Sequence, residues 1–183
     1  PRITNIVGAL GQTLADGEIF QMFHSHEKLV SEEVYFEIIR KKTASLFSTS
    51  AEVGAISAGA SEENIARARQ IGEYIGICFQ IRDDIFDYYT NDVGKPTGND
   101  MREGKLTLPV LLVLNDENCP EEYKAMARNV KAQKGTNEEI SSLIEYTVEQ
   151  GGIERAQQYM TEYFSAAKSF IDERITDSRF NAS

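Results

Sequence analysis

An all-α fold is what this sequence predicts, and three observations predict it. Apolar residues recur at three- and four-residue spacing along nearly the whole chain. No stretch shows the strict alternation of a half-buried strand, and helix-start signals recur between the apolar runs. With 183 residues, one helical bundle domain over 1–183 is expected, long enough to bury a core.

Ile3, Ile6, Val7, Leu10 and Leu14 mark one face of a first helix. Ser31 before Glu32 and Glu33 reads as an N-cap with acidic residues in the positive first turn, opening a helix to about Ile56. Ser61, Glu62 and Glu63 repeat the signal, and Ile65, Ala68, Ile71, Ile75 and Phe79 carry the next helix into an aspartate cluster. Thr107 with Pro109 starts another helix, and Pro120 with Glu121 and Glu122 a further one. Thr136 to Glu139 spells a capping box after Gly135, and Gly151-Gly152 separates that helix from a last one through the 160s. There is no internal repeat, low-complexity segment or obvious linker.

The formal charge of −10 argues against a nucleic-acid binder, which runs on clustered Lys and Arg. It leaves phosphorylated substrates open, because local cations or a bound metal reverse the field. No apolar run reaches the eighteen or so residues of a spanning helix, and no basic-then-apolar leader opens the chain. A cytoplasmic protein is expected. Cys78 and Cys119 form no CxxC pair and imply no zinc site; two thiols in a reducing compartment is the expectation, with a disulfide left open. A chain opening at Pro1 rather than Met is expected to be cut from something larger.

Chemistry concentrates in "FQIRDDIFDYYTNDVGKPTGNDMREGKLTLP". On a helix, Asp83 and Asp87 share a face, with Asp84 about 100° away. Counting back in fours gives Phe79, Ile75 and Ile71, so the carboxylates are expected to continue an inward row, where uncompensated charge is costly. Arg82 is the one adjacent cation, too little for three carboxylates. Mg²⁺ fits, since it takes one or two carboxylates and fills its other positions with water and phosphate oxygens. A solvated acidic helix end is the bland alternative.

Lys42 falls four after Ile38 and four before Leu46, near an apolar face with Thr43 beside it; a solvated lysine is equally consistent. In the first helix, Leu10 and Leu14 continue to Glu18 and Gln21. Three apolar stripes ending in polar groups describe a greasy pocket with a charged mouth. The loop from Asp92 to Lys105 brings Gly94, Lys95, Gly98, Asp100, Gly104 and Lys105, glycines that let amides approach an anion and lysines that meet phosphate. His24 and His26 are expected in a solvated loop. The small-residue stretch Ser45 to Gly59 allows close helix packing or leaves room for a ligand.

These motifs, F-Q-x-x-D-D-x-x-D followed by G-K-x-x-G-x-D and G-K-x-T-x-P, resemble the second aspartate-rich region of the trans-isoprenyl diphosphate synthases. "RKKTASLFSTSAEVGA" looks like that family's Lys-Thr helix, and "LADGEIFQM" like its preceding helix in long-chain (octaprenyl and polyprenyl) members. The resemblance covers essentially the whole chain. It implies a head-to-tail prenyl transfer, in which an allylic diphosphate held by Mg²⁺ ionises and isopentenyl diphosphate attacks. It implies metal-binding carboxylates at Asp83, Asp84 and Asp87, directly or through water, with Asp100 as a further metal residue that also supports the loop. It implies diphosphate binding by Lys42 and Lys95, with Lys105 supporting the loop, and places Thr43 and Gln80 at the reacting end. Homodimers are common among its members. Its first aspartate-rich motif and early basic motif are not among these residues, so an internal to C-terminal portion, inactive by itself, is expected. A non-catalytic partner subunit and a class I terpene cyclase remain alternatives; cyclases normally mix Asn, Ser or Thr with Glu in this motif.

Overall fold

A computed structural model describes residues 2–24, 31–89 and 98–175, with side chains described as far as 171. Every regular element among them is helical, so the all-α expectation holds. Helix α1 is Arg2–His24. From Glu32 the chain runs unbroken through α2 (Glu32–Ile39), a π-helical stretch (Arg40–Ala44) and α3 (Ser45–Ser57). The expected helix to about Ile56 is therefore present, with a widened turn in its middle. Ser31 caps it, its Oγ accepting from the Val34 N–H at 3.3 Å.

Helix α4 (Glu62–Phe86) starts at Ser61, whose Oγ accepts from the Asn64 N–H at 3.4 Å. Local signals place the later starts as well. Thr107 is the extended residue before α6 (Leu108–Leu114), with Pro109 in its first turn, and Pro120 precedes α7 (Glu121–Lys131). Between α4 and α6 lies α5 (Asn99–Arg102), a single turn inside what the sequence shows as loop. The capping box of α8 (Asn137–Glu149) is complete: Thr136 Oγ1 accepts from the Glu139 N–H, and Glu139 returns a carboxylate to the Thr136 N–H. Gly151, at φ 71°, ends that helix in a conformation few side chains tolerate, and α9 (Gly152–Ile175) begins at the next residue.

The chain groups into two compact units. The first comprises Pro1–Glu18, Ile39–Gln80 and Met160–Ser183; the second comprises Ile19–Ile38 and Ile81–Tyr159. In the first, α4 meets the π-helical stretch and α3 at glycines. A Cβ on Gly76 would sit 2.5 Å from Ala44 Cα, and one on Gly72 2.6 Å from the Phe47 carbonyl oxygen. Ser48 closes the same contact by donating to the Arg69 carbonyl. At Ala44 and Ser48, both buried, the small residues serve close packing. Gly76→Ala forces backbone apart and is expected to cost about 1–3 kcal/mol. Urea unfolding checks this, and an unchanged midpoint would show that the helices separate freely.

The second unit is built round α6, all seven of whose residues are buried. Burying each Leu or Val contributes about 1.5–3 kcal/mol, which is why so short an apolar segment organises its neighbours. Helix α8 packs on α6 and α7, with Ile140 and Leu143 buried. Gly152 lets α9 start against α6, since a Cβ there would meet the Pro109 carbonyl at 2.5 Å.

Two expected faces are different in the structure. Ile3 and Val7 of α1 are exposed. On α4, Ile75 and Phe79 are each 44% exposed and Asp83 is exposed, so the row leading to Asp83 is not the inward one. The buried row is Ile77, Ile81 and Ile85, joined by Asp84. Helix α4 carries apolar residues on two adjoining rows, and a 3.6-residue period does not choose between them. Among the described residues no helix is long and apolar enough to cross a membrane.

Candidate active site

Four of the residues singled out in the sequence gather in the first unit. The π-helical stretch carries Lys42 and Thr43, and insertions of this kind are frequent at functional sites. Thr43 Oγ1 donates to Gln80 Oε1 at 2.8 Å, joining two expected residues from different helices. Lys42 Nζ pairs with Glu18 of α1 at 2.8 Å. Helix α1 can approach because position 17 is glycine; a Cβ there would lie 2.9 Å from Lys41 Cβ and Lys42 Cγ. The Glu18 side chain is 61% exposed, so this pair is worth at most about 1 kcal/mol and yields readily to a stronger anion.

In the second unit the three aspartates have three different surroundings. Asp83 is exposed and makes no hydrogen bond or ion pair among the described residues. Asp84 is only 2% exposed, and Tyr35 of α2 donates its hydroxyl to Asp84 Oδ2 at 2.6 Å. Burial first, then the Asp84 carboxylate, pushes the Tyr35 phenol well above its ordinary pKa. Asp87, one residue beyond α4, accepts from the backbone N–H groups of Asn99 (3.0 Å) and Asp100 (2.9 Å). Arg82 lies with its guanidinium over the Phe86 ring.

Asp100 completes the acidic group. Burial and the neighbouring Asp87 carboxylate raise its pKa, Lys105 opposes them, and Asp83 and Glu103 add to the rise. Lys105 is exposed and donates to Glu103 at 2.7 Å, a bond that lifts the lysine's pKa and lowers that of Glu103. Because the folded-state pKa of Asp100 lies above its unfolded value, the stability it contributes below the ordinary aspartate range is lost as pH rises through the raised value. Asp100→Asn is expected to stabilise the metal-free chain near neutral pH, with the gain closing on acidification. Thermal melts at the two conditions check it; an equal gain at both would show that the charge of the Asp100 carboxylate is not the cause.

Among the described residues, no three His, Cys, Asp or Glu side chains converge closely enough to cage a metal by themselves. That donor set still suits Mg²⁺, which takes one or two carboxylates and completes its shell with water and phosphate oxygen. Lys95 and Gly94 lie outside the described residues, as does His26. His24 is in the last turn of α1 rather than in a loop, tilted against Phe20 and edge-on to Phe23, with its carbonyl accepting from Lys131. Tyr35 and Glu103 are site neighbours the sequence did not single out. Tyr35 is hidden because an aromatic beside Phe36 on an apolar face reads as core. The Tyr88 hydroxyl is buried without an aligned hydrogen bond, although the Thr147 and Thr107 hydroxyls lie nearby, and burial raises its pKa.

The polyprenyl synthetase family model matches residues 1–147. The chain belongs to the polyprenyl synthetase family. It is 31% identical to octaprenyl diphosphate synthase of Haemophilus influenzae, over 93% of the chain and 52% of that protein. It is also 31% identical to heptaprenyl diphosphate synthase component 2 of Geobacillus stearothermophilus, over 94% and 53%. Among solved structures it resembles geranylgeranyl pyrophosphate synthase from Bacteroides thetaiotaomicron, with TM-score 0.88 and 49% identity over 92% of this chain and 56% of that one. It also resembles a Caulobacter crescentus polyprenyl synthase complexed with calcium and isoprenyl diphosphate, with TM-score 0.83 and 32% identity over 94% and 53%. The chain spans about half the length of these relatives.

Proposed function

We propose that this chain supplies one carboxylate wall and the Lys-Thr helix of a trans-prenyltransferase, which joins an allylic diphosphate to isopentenyl diphosphate. In that reaction the allylic C–O bond breaks and diphosphate leaves with the electron pair. The isopentenyl double bond then forms the new C–C bond, and a proton is lost. The observation that carries the reading is the gathering of the Asp83, Asp87 and Asp100 carboxylates, in which burial and then the Asp87 charge raise the proton affinity of Asp100. Such a group invites a divalent cation, and the carboxylates alone would repel a diphosphate.

Mg²⁺, where bound, would neutralise the leaving diphosphate. Asp83 is the carboxylate open to hold it, with Asp84 and Asp100 beside it. Lys42 and Lys95 would grip the allylic diphosphate, Lys42 exchanging Glu18 for phosphate oxygen, while Lys105 supports the loop. Thr43 and Gln80, already hydrogen-bonded to one another, would steady the reacting end. Preorganised positive groups of this kind favour the charge that develops on the leaving group.

A cytoplasmic, homo-oligomeric protein accompanies this reading. Free thiols at Cys78 and Cys119 support the first part, and exposed Ile19, Met22 and Phe23 on α1 support the second. The test is isothermal titration of inorganic diphosphate with and without Mg²⁺, on the chain and on the complete open reading frame that carries it, together with a condensation assay. Binding and turnover are expected to require the metal. Diphosphate binding without metal, or none under either condition, would favour a non-catalytic partner.

A further inference from the structure

Asp87 stands apart from the other two aspartates in how fully its oxygens are used. Its Oδ1 accepts from the Asn99 N–H and its Oδ2 from the Asp100 N–H, while its carbonyl accepts from the Gly98 N–H at 2.9 Å. Three consecutive amides therefore end on one residue. The turn they belong to is pinned from the other side as well. Gly98 is buried at φ 78°, and a Cβ there would meet Ile144 Cδ1 of α8 at 2.6 Å. The tie continues onward, because the Lys105 N–H donates to the Asp100 carbonyl at 2.8 Å. Four residues earlier, Asp83 has neither a hydrogen bond nor an ion pair among the described residues.

We propose that Asp87 is a positioning residue: its carboxylate clamps the Gly98–Asp100 turn and so sets where the Asp100 carboxylate stands, and it does not itself ligate the metal. A carboxylate facing two N–H groups has both oxygens turned toward the positive ends of backbone dipoles. Each oxygen spends one of its two lone pairs on an N–H, so a cation reaching it would use the second and lie beside the positive end of a backbone dipole, a poorer site than the open carboxylate of Asp83. The clamp also explains why an acid is required here. An asparagine offers one acceptor oxygen and turns its NH₂ toward the second N–H, donor against donor. The clamp stands on geometry alone; the exclusion from the metal shell rests on the metal reading proposed above.

Amide hydrogen exchange on the metal-free chain reads the clamp directly. In the wild type the Asn99 and Asp100 amides are expected to be protected. In Asp87→Asn and Asp87→Ala they should exchange at least tenfold faster, while Asp83→Ala leaves them unchanged. Far-UV circular dichroism confirms that each variant stays helical. Unprotected Asn99 and Asp100 amides in the wild type itself would overturn the clamp without any variant. The second arm titrates Mn²⁺, followed by electron paramagnetic resonance, in the presence of inorganic diphosphate. Asp83→Ala should weaken Mn²⁺ binding at least tenfold, and Asp87→Asn no more than Asp100→Asn does, since Asp87 acts only through the placement of Asp100. Weakening by Asp87→Asn that matches Asp83→Ala and exceeds Asp100→Asn would make Asp87 a ligand and overturn the proposal. No effect of Asp83→Ala would sink the metal reading instead, leaving the clamp to be judged by exchange.

Discussion

Replacing Asp83 with alanine is expected to lower condensation turnover in the complete protein by about a hundredfold to a thousandfold, the range seen when one preorganised group facing developing charge is removed. The same change should leave stability within about 0.5 kcal/mol of the wild type, as for exposed side chains without special contacts. The two halves of the prediction come from one fact. Asp83 is exposed and makes no hydrogen bond or ion pair among the described residues, so the fold does not depend on it. A carboxylate kept open beside two anchored ones is placed for a ligand. Turnover at saturating substrate and Mg²⁺, measured alongside a urea melt, separates the effects. A variant that keeps near-wild-type turnover would remove Asp83 from the reaction.

Tyr35→Phe is expected to do the reverse, costing about 1.5–3 kcal/mol of stability, as for the loss of a hydrogen bond to a charged group. Tyr35 is 6% exposed and Asp84 2%, and the 2.6 Å bond between them ties α2 to α4 where water does not replace a lost donor. A carboxylate that loses one donor in such a place is left less well compensated for its desolvation. For a chain of this length the melting temperature should fall by about 3–12 °C. Tyr88→Phe is the control. Its hydroxyl is buried without an aligned partner, so deleting it should leave stability unchanged or raise it slightly. Equal losses from the two substitutions would mean that packing of the rings, and not the bond to Asp84, sets the cost.

Much of this molecule is written locally. Ser31, Ser61 and Thr136 start helices through side-chain caps, and Pro109 and Pro120 through a fixed φ, and such short-range chemistry survives any tertiary arrangement. The aspartate cluster and its following loop were legible for the same reason, as residue types at fixed spacing. Which row of α4 is buried was not legible. Ile71, Ile75 and Phe79 look as good a core row as Ile77, Ile81 and Ile85, and only the partner helices decide between them.

The widened turn at Arg40–Ala44 also needs the tertiary structure, since Gly17 and Gly76 make room for it from other helices. The division among the aspartates is the clearest case. In the sequence Asp83, Asp84 and Asp87 differ only in their phase on the helix. The fold gives one to open surroundings, one to Tyr35 and one to the amides of Asn99 and Asp100, partners that lie 49, 12 and 13 residues away. A side chain's type is fixed by its codon, but its hydrogen-bond partners are chosen by whatever the fold brings beside it.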